Sequence, residues 1–145
     1  MYKLHLLFCC TIELNKGGTL FMFIKYNPNP KGDRVGDCTV RAISKLLEQD
    51  WDRIYIDLCV QGYAMKDMPS SNSVWGEYLI NRGYTRKVIQ NTCPDCYTIK
   101  DFCGEHNQGA FLLCTGTHVV TVIDGDYFDT WDSGDEVPIF YYERS

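Results

Sequence analysis

The sequence has no long apolar run, no cluster of basic residues, no internal repeat and no glycine-rich phosphate motif. Each shortage excludes something. The apolar stretch from Leu4 to Ile12 is too short to cross a bilayer, which takes about 20 apolar residues. The net charge is −5 and no Lys/Arg run stands out. A nucleic-acid surface needs clustered positive charge to displace counterions, so no nucleic-acid partner is expected. An acidic chain is not drawn to an anionic membrane either. Neither a GxGxxG nor a Walker sequence is present, so nothing cradles a nucleotide phosphate in the usual way.

Cysteine, by contrast, is abundant, with eight in 145 residues. A disulfide framework would suit a small secreted domain. Adjacent cysteines such as Cys9 and Cys10 do not pair easily with each other, and a thiol used for chemistry must stay free. A reduced, cytoplasmic chain is therefore the favoured reading. The start hints at a signal peptide, but Cys9, Cys10 and Glu13 make a poor apolar core and no small-x-small site follows. Met22 precedes the strand-like Phe23-Ile24-Lys25-Tyr26 and offers an alternative start. Residues 1–21 are read as a dispensable extension and 22–145 as one domain. With 45% apolar and 23% charged residues, such a domain buries one core without staples.

Residues 19–26 read as a strand and 27–37 as a Pro/Gly/Asx loop. A helix follows, with Asp37 as N-cap and Val40, Ile43, Leu46 and Leu47 on one face. Asp50 caps a second helix bearing Trp51, Ile54, Tyr55 and Leu58. Ser70 to Ser73 opens a third, which Gly83 ends. Tyr84 to Ile89 reads as a strand. Thr98-Ile-Lys-Asp101 resembles a capping box and starts a fourth helix reaching about Asn107. Then the period shortens to two. Strands are expected over 110–115, 118–123, 126–131 and 137–142, with Asp124-Gly125 as a hairpin turn and Pro138 at an edge or strand start. Helices first and strands second make an α+β fold.

Gly36-Asp37-Cys38 places a thiol at the first turn of the first helix. The partial positive charge there favours thiolate, and the unpaired N–H groups can meet an oxyanion formed beside the sulfur. Alternatively, Cys38 is a small buried apolar residue. Arg41, one turn on, either lowers the thiol pKa further or is simply solvated, and the solvated reading is favoured.

The hairpin supplies a base and its partner. With Asp124-Gly125 as the loop, Val120 faces Asp129 and His118 faces Trp131. Asp129 is then the diagonal neighbour of His118 on the same side of the sheet, at ~7–8 Å between backbones and within reach of a ring. A carboxylate there fixes the imidazole tautomer and stabilises the imidazolium. The alternative is a surface histidine and a turn aspartate.

A helix-opening Gly-x-Cys, a strand His and an acid-x-Trp on the next strand, in that order, resemble the papain-like cysteine peptidase superfamily. The stretch Thr117 to Ser133 is similar to its small phage and bacterial members. The resemblance covers about Asn27 to Tyr142. Papain-type enzymes carry Asn-Ser-Trp-Gly where this chain has Asp129-Thr130-Trp131-Asp132, and the superfamily widely accepts Asp. The resemblance implies Cys38 as nucleophile, His118 as base, Asp129 as orienting acid and Trp131 as a shield over the His–acid bond. It implies helices packed on a C-terminal antiparallel sheet, a bacterial or phage-infected cell, and a peptide or protein substrate. A monomer is expected. One position departs. The family usually has Gln or Asn a few residues before the Cys as oxyanion donor, whereas Gly32 stands there. The role is carried to Asn29, failing which backbone N–H groups supply it.

A second constellation is Cys93-Pro-Asp-Cys96 with Cys103 and His106. Cys103 and His106 are i, i+3 on the fourth helix, and Cys3His is a structural zinc set. The alternatives are incidental cysteines or a redox CxxC. Zinc here would be structural, so no catalytic cofactor is expected. Asp132, Asp135 and Glu136 read as a solvated loop, with calcium the alternative. The leading function is thiol acyl chemistry on a peptide or isopeptide amide, by hydrolysis or transfer. The alternatives are a catalytically inactive papain-like binding module and a zinc-stabilised interaction domain.

Overall fold

The computed structural model describes residues 10–14, 20–90 and 96–145. In chain order these form β1 (Cys10–Leu14), β2 (Leu20–Lys25), α1 (Cys38–Leu47), α2 (Trp51–Met65), α3 (Asn72–Ile80), β3 (Tyr84–Val88), α4 (Ile99–Glu105), β4 (Ala110–Cys114), β5 (Val119–Ile123), β6 (Asp126–Asp129) and β7 (Phe140–Arg144). The fold is α+β. No helix among the described residues is long and apolar enough to cross a membrane.

Local signals set several boundaries. Thr98 and Asp101 form a reciprocal capping box at the start of α4. Gly83, at φ +84°, turns the chain from α3 into β3. Asp124 and Gly125 both have positive φ (50° and 87°), as a type I′ hairpin turn requires. The resulting register pairs Ile123 with Asp126, Val122 with Tyr127 and Thr121 with Phe128, in the spacing the sequence predicts. The last strand begins at Phe140 rather than Val137. Pro138, which has no N–H for a ladder, stands just before it.

The expected antiparallel sheet is corrected to a mixed one. Its strand order is β1-β2-β6-β5-β4-β7-β3. All neighbours are antiparallel except β2 and β6, which run parallel with Phe23 opposite Tyr127. The strand that precedes the helices thus joins the sheet formed by those that follow. The Phe21 and Phe23 rings lie 6.5 and 5.6 Å from that of Tyr127. Local periodicity contains no information on such a distant contact. The expected boundary at 21/22 falls inside β2, where Phe21 is buried. The backbone of Cys10–Leu14 pairs along Leu20–Ile24.

Both faces of the sheet are covered, which is why β4 and β5 read as nearly continuous apolar runs. On one face Leu112, Cys114, Val119, Phe140 and Tyr142 pack with residues of α1, α2 and α3. On the other, Phe111, Leu113, Val120, Val122 and Tyr127 pack with Ile99, Phe102 and Cys103 of α4. The alternation follows the period of two. Helix α1 docks on β5 by apolar packing and by a buried bond in which Thr121 Oγ1 donates to the Ala42 carbonyl at 2.6 Å. That docking sets the start of α1 against the start of β5.

Candidate active site

Cys38 is the first residue of α1 and is half-buried. Val40, Ile43 and Leu46 fix the helix rotation by packing in the core. His118 and the backbone N–H of Val119 hydrogen-bond the Cys38 sulfur. Burial pushes the thiol pKa up. The hydrogen bonds from His118 and Val119, with the charges of His118 and Arg41, outweigh it and hold Cys38 below the ordinary thiol value. Asp37 occupies the N-cap position as expected, but its carboxylate makes no capping bond. It pairs instead with Arg41 and accepts the Trp51 indole N–H at 2.8 Å. The first-turn N–H groups of α1 are therefore not taken up by this side chain.

His118 Nε2 lies 2.5 Å from Asp129 Oδ2. The acid also accepts Ser133 Oγ at 2.6 Å and the Thr130 N–H at 2.7 Å, and Arg41 Nη2 lies 3.5 Å from its Oδ1. Burial raises the Asp129 pKa, but hydrogen bonds from His118, Ser133 and Thr130 bring it below the usual carboxylate value. An ionised carboxylate only accepts, so Nε2 carries the proton and Nδ1 is left for the sulfur. Burial pushes His118 down, yet hydrogen bonds to Asp129 and Cys38 and their charges carry it up to about 9. The Trp131 ring lies 5.4 Å from the imidazole, tilted by 44°, and is 39% exposed. It covers one side of the ring. Strict alternation would keep His118 and Asp129 with Val120 and Tyr127 on the α4 face. However, His118 precedes β5 and Asp129 ends β6, and at these termini the acid reaches Arg41 of α1.

The solvated reading of Arg41 is corrected. Its side chain is 8% exposed and lies between Asp37 and Asp129. The i, i+4 spacing of Asp37 and Arg41 was a readable signal for that pair. Ser133, four residues beyond Asp129, had none, because it reaches the acid through an irregular bend.

A groove of about 640 Å³ opens beside the start of α1. Gly36, Asp37 and Thr39, which flank Cys38 in the chain, line one side, and Trp51, Tyr55, Met68 and Pro69 line the others. Asn29 also lines this groove. Its Oδ1 accepts the Lys31 N–H at 3.0 Å and its carbonyl accepts the Gly32 N–H at 2.8 Å.

Cys93 of the second constellation lies outside the described residues. Among the described residues no three potential metal ligands converge, so Cys96, Cys103 and His106 do not form a set. Helix α4 ends at Glu105, and His106 is its C-cap, with its N–H still bonded to the Phe102 carbonyl at 2.8 Å. Cys103 is buried beside Phe102, and burial pushes its thiol up to about 12. His106 stacks on Phe102 at 3.8 Å. In the acidic loop, Asp132 accepts the Tyr127 hydroxyl at 2.5 Å and Asp135 pairs with Lys100 at 3.2 Å.

Comparison of the chain with models of known protein families, with curated proteins and with solved structures found no match.

Proposed function

We propose that the chain is a papain-like thiol acyl enzyme acting on a peptide or isopeptide amide. The observation that supports this best is His118 held between the Cys38 thiol and a buried, multiply hydrogen-bonded Asp129. A surface histidine beside a turn aspartate would not be buttressed by Ser133, Thr130 and Arg41.

The chemistry follows from these atoms. The Cys38 thiolate adds to the substrate carbonyl carbon, and the carbonyl oxygen takes the negative charge. First-turn N–H groups of α1 receive that oxyanion, with Asn29 as the side-chain donor. Collapse re-forms the C=O and breaks the C–N bond. The imidazolium of His118 gives its proton to the departing amine, leaving a thioester on Cys38. Neutral His118 then takes a proton from water, or from an acceptor amine, as it attacks the thioester carbonyl, and collapse breaks the C–S bond and returns the Cys38 thiolate beside the imidazolium. Water gives hydrolysis, and an amine gives transfer. Asp129 keeps the ring oriented throughout. The groove is lined by the neighbours of Cys38, Gly36, Asp37 and Thr39, rather than by Cys38 or His118 themselves, and it offers the substrate chain a path toward the thiol.

Alkylation with iodoacetamide followed by peptide mapping tests the reading. Cys38 should label first, at a rate that falls on acidification below the range of an ordinary thiol. Cys59, equally half-buried and on α2, is the internal reference. Labelling of Cys38 and Cys59 at equal rates with the same pH dependence would overturn the assignment.

A further inference from the structure

Arg41 is a buried cation between two carboxylates that belong to different parts of the molecule. Asp37 sits at the start of α1, and Asp129 ends β6. One guanidinium nitrogen pairs with Asp37, and the other lies 3.5 Å from Asp129 Oδ1. The first nitrogen is also 3.5 Å from the Val35 carbonyl, in the loop leading to Cys38. Asp37 in turn holds the Trp51 indole from α2. A connected chain of polar contacts thus runs from Trp51 through Asp37, Arg41 and Asp129 to His118 and Cys38.

Burying an ion network is costly, and an apolar replacement of similar shape often serves stability as well or better. A rigid, planar fork that spans two carboxylates does what an apolar residue cannot. It fixes their separation and keeps a charge that does not titrate. The separation it fixes lies between the helix start that carries the thiol and the strand end that carries the acid.

We propose that Arg41 is a positioning residue for the thiol chemistry: its guanidinium ties the start of α1 to Asp129 and places a permanent cation beside Cys38. This rests on the reading of Cys38 as nucleophile. The groups facing the thiol and this cation are Asp37 on the same helix turn, His118 before β5, Asp129 on β6 and the Cys114 thiol on β4. Of these, Asp37 offsets the Arg41 charge. Removing Arg41 therefore disfavours the thiolate, and neutralising Asp37 favours it. Two substitutions in one ion pair should shift Cys38 in opposite directions, whereas a purely structural pair would shift both the same way or neither.

The test is the pH dependence of Cys38 alkylation by iodoacetamide in the full chain, with far-UV circular dichroism to follow folding. Arg41→Met should move the acid limb upward, slowing alkylation about tenfold at a pH below the limb, the effect of a shift of one pH unit. Asp37→Asn should move the limb downward. Arg41→Lys, which keeps the charge without the fork, should lie between Arg41→Met and the unaltered chain. A limb unmoved by Arg41→Met, or moved upward by Asp37→Asn, overturns the proposal. If Arg41→Met does not fold, Asp37→Asn and Arg41→Lys decide alone: an upward or absent shift in Asp37→Asn overturns it. An ordinary thiol limb in the unaltered chain would overturn the proposed function itself. A low limb indifferent to both residues would overturn only the role of Arg41.

Discussion

At the scale of single residues, the proposed mechanism makes Cys38 and His118 act as a unit. Cys38→Ala and His118→Ala should each remove most turnover of a peptide substrate, and the double variant should be little worse than the worse single. Asp129→Ala should cost less, by roughly 10²–10⁴-fold, because orientation and charge stabilisation are only part of the barrier. Cys38→Ala should keep its stability in urea to within about 1 kcal/mol, since it deletes one sulfur at a half-buried helix start. A larger loss with activity retained would make Cys38 structural. The pH profile has two limbs with different meanings. Cys38 is held below the ordinary thiol value and His118 is raised to about 9, so thiolate and imidazolium coexist between them. Turnover should fall on the acid side as the thiolate is protonated, and above about 9 as the imidazolium loses the proton the leaving amine needs. Alkylation needs only the thiolate, so it should not fall above that pH. If alkylation and turnover both declined on the alkaline side, the acid role of His118 would be wrong.

At the scale of elements, what was legible in the sequence was whatever a few consecutive residues decide. The Asp124-Gly125 turn needs two positive φ angles, and its register followed from residue type alone. Extended by two positions, that register sets Asp129 diagonal to His118 from the sequence alone. The capping box at Thr98 was readable for the same reason. The contact of Arg41 with Asp129 was not, because Asp129 is 88 positions away and only folding brings it there. The groove was not legible either, since its walls come from the loop before α1, from α2 and from the turn after it. It leads to a prediction of its own. Tyr55 and Met68 are 47% and 68% exposed and line the groove, so an occupant would cover the apolar surface they still expose. Tyr55→Ala and Met68→Ala should raise KM for peptide substrates by several-fold while leaving kcat nearly constant, the sign of lost uniform binding. An equal fall in kcat would place the two side chains at the reacting bond instead.

At the scale of the whole molecule, the proposed triad belongs to no single layer. Cys38 comes from the helical layer, while His118 and Asp129 come from the sheet. What joins them is the packing of α1 on β5, the Thr121 bond to Ala42, and Arg41 on Asp129. The sheet itself is closed by distant pairing: β2, before the helices, lies parallel to β6, after them. Phe21 and Phe23 seat β2 on Tyr127, and Tyr127 is two residues from the acid. Removal of residues 1–19 takes away β1 but keeps Phe21, Phe23 and the pairing of β2 with β6, whereas removal of 1–21 also deletes the buried Phe21. Loss of a buried Phe side chain typically costs about 3–5 kcal/mol, a large share of the stability of a domain this size. The chain starting at Leu20 should therefore keep a fast-labelling Cys38, and the chain starting at Met22 should unfold at markedly lower urea. Because both layers are needed for the thiolate, fast labelling should vanish in the same urea range as the circular dichroism signal. Fast labelling lost well before that signal would mean that α1 leaves the sheet as a separate unit, and the site would then depend on the docking of α1 rather than on the fold as a whole.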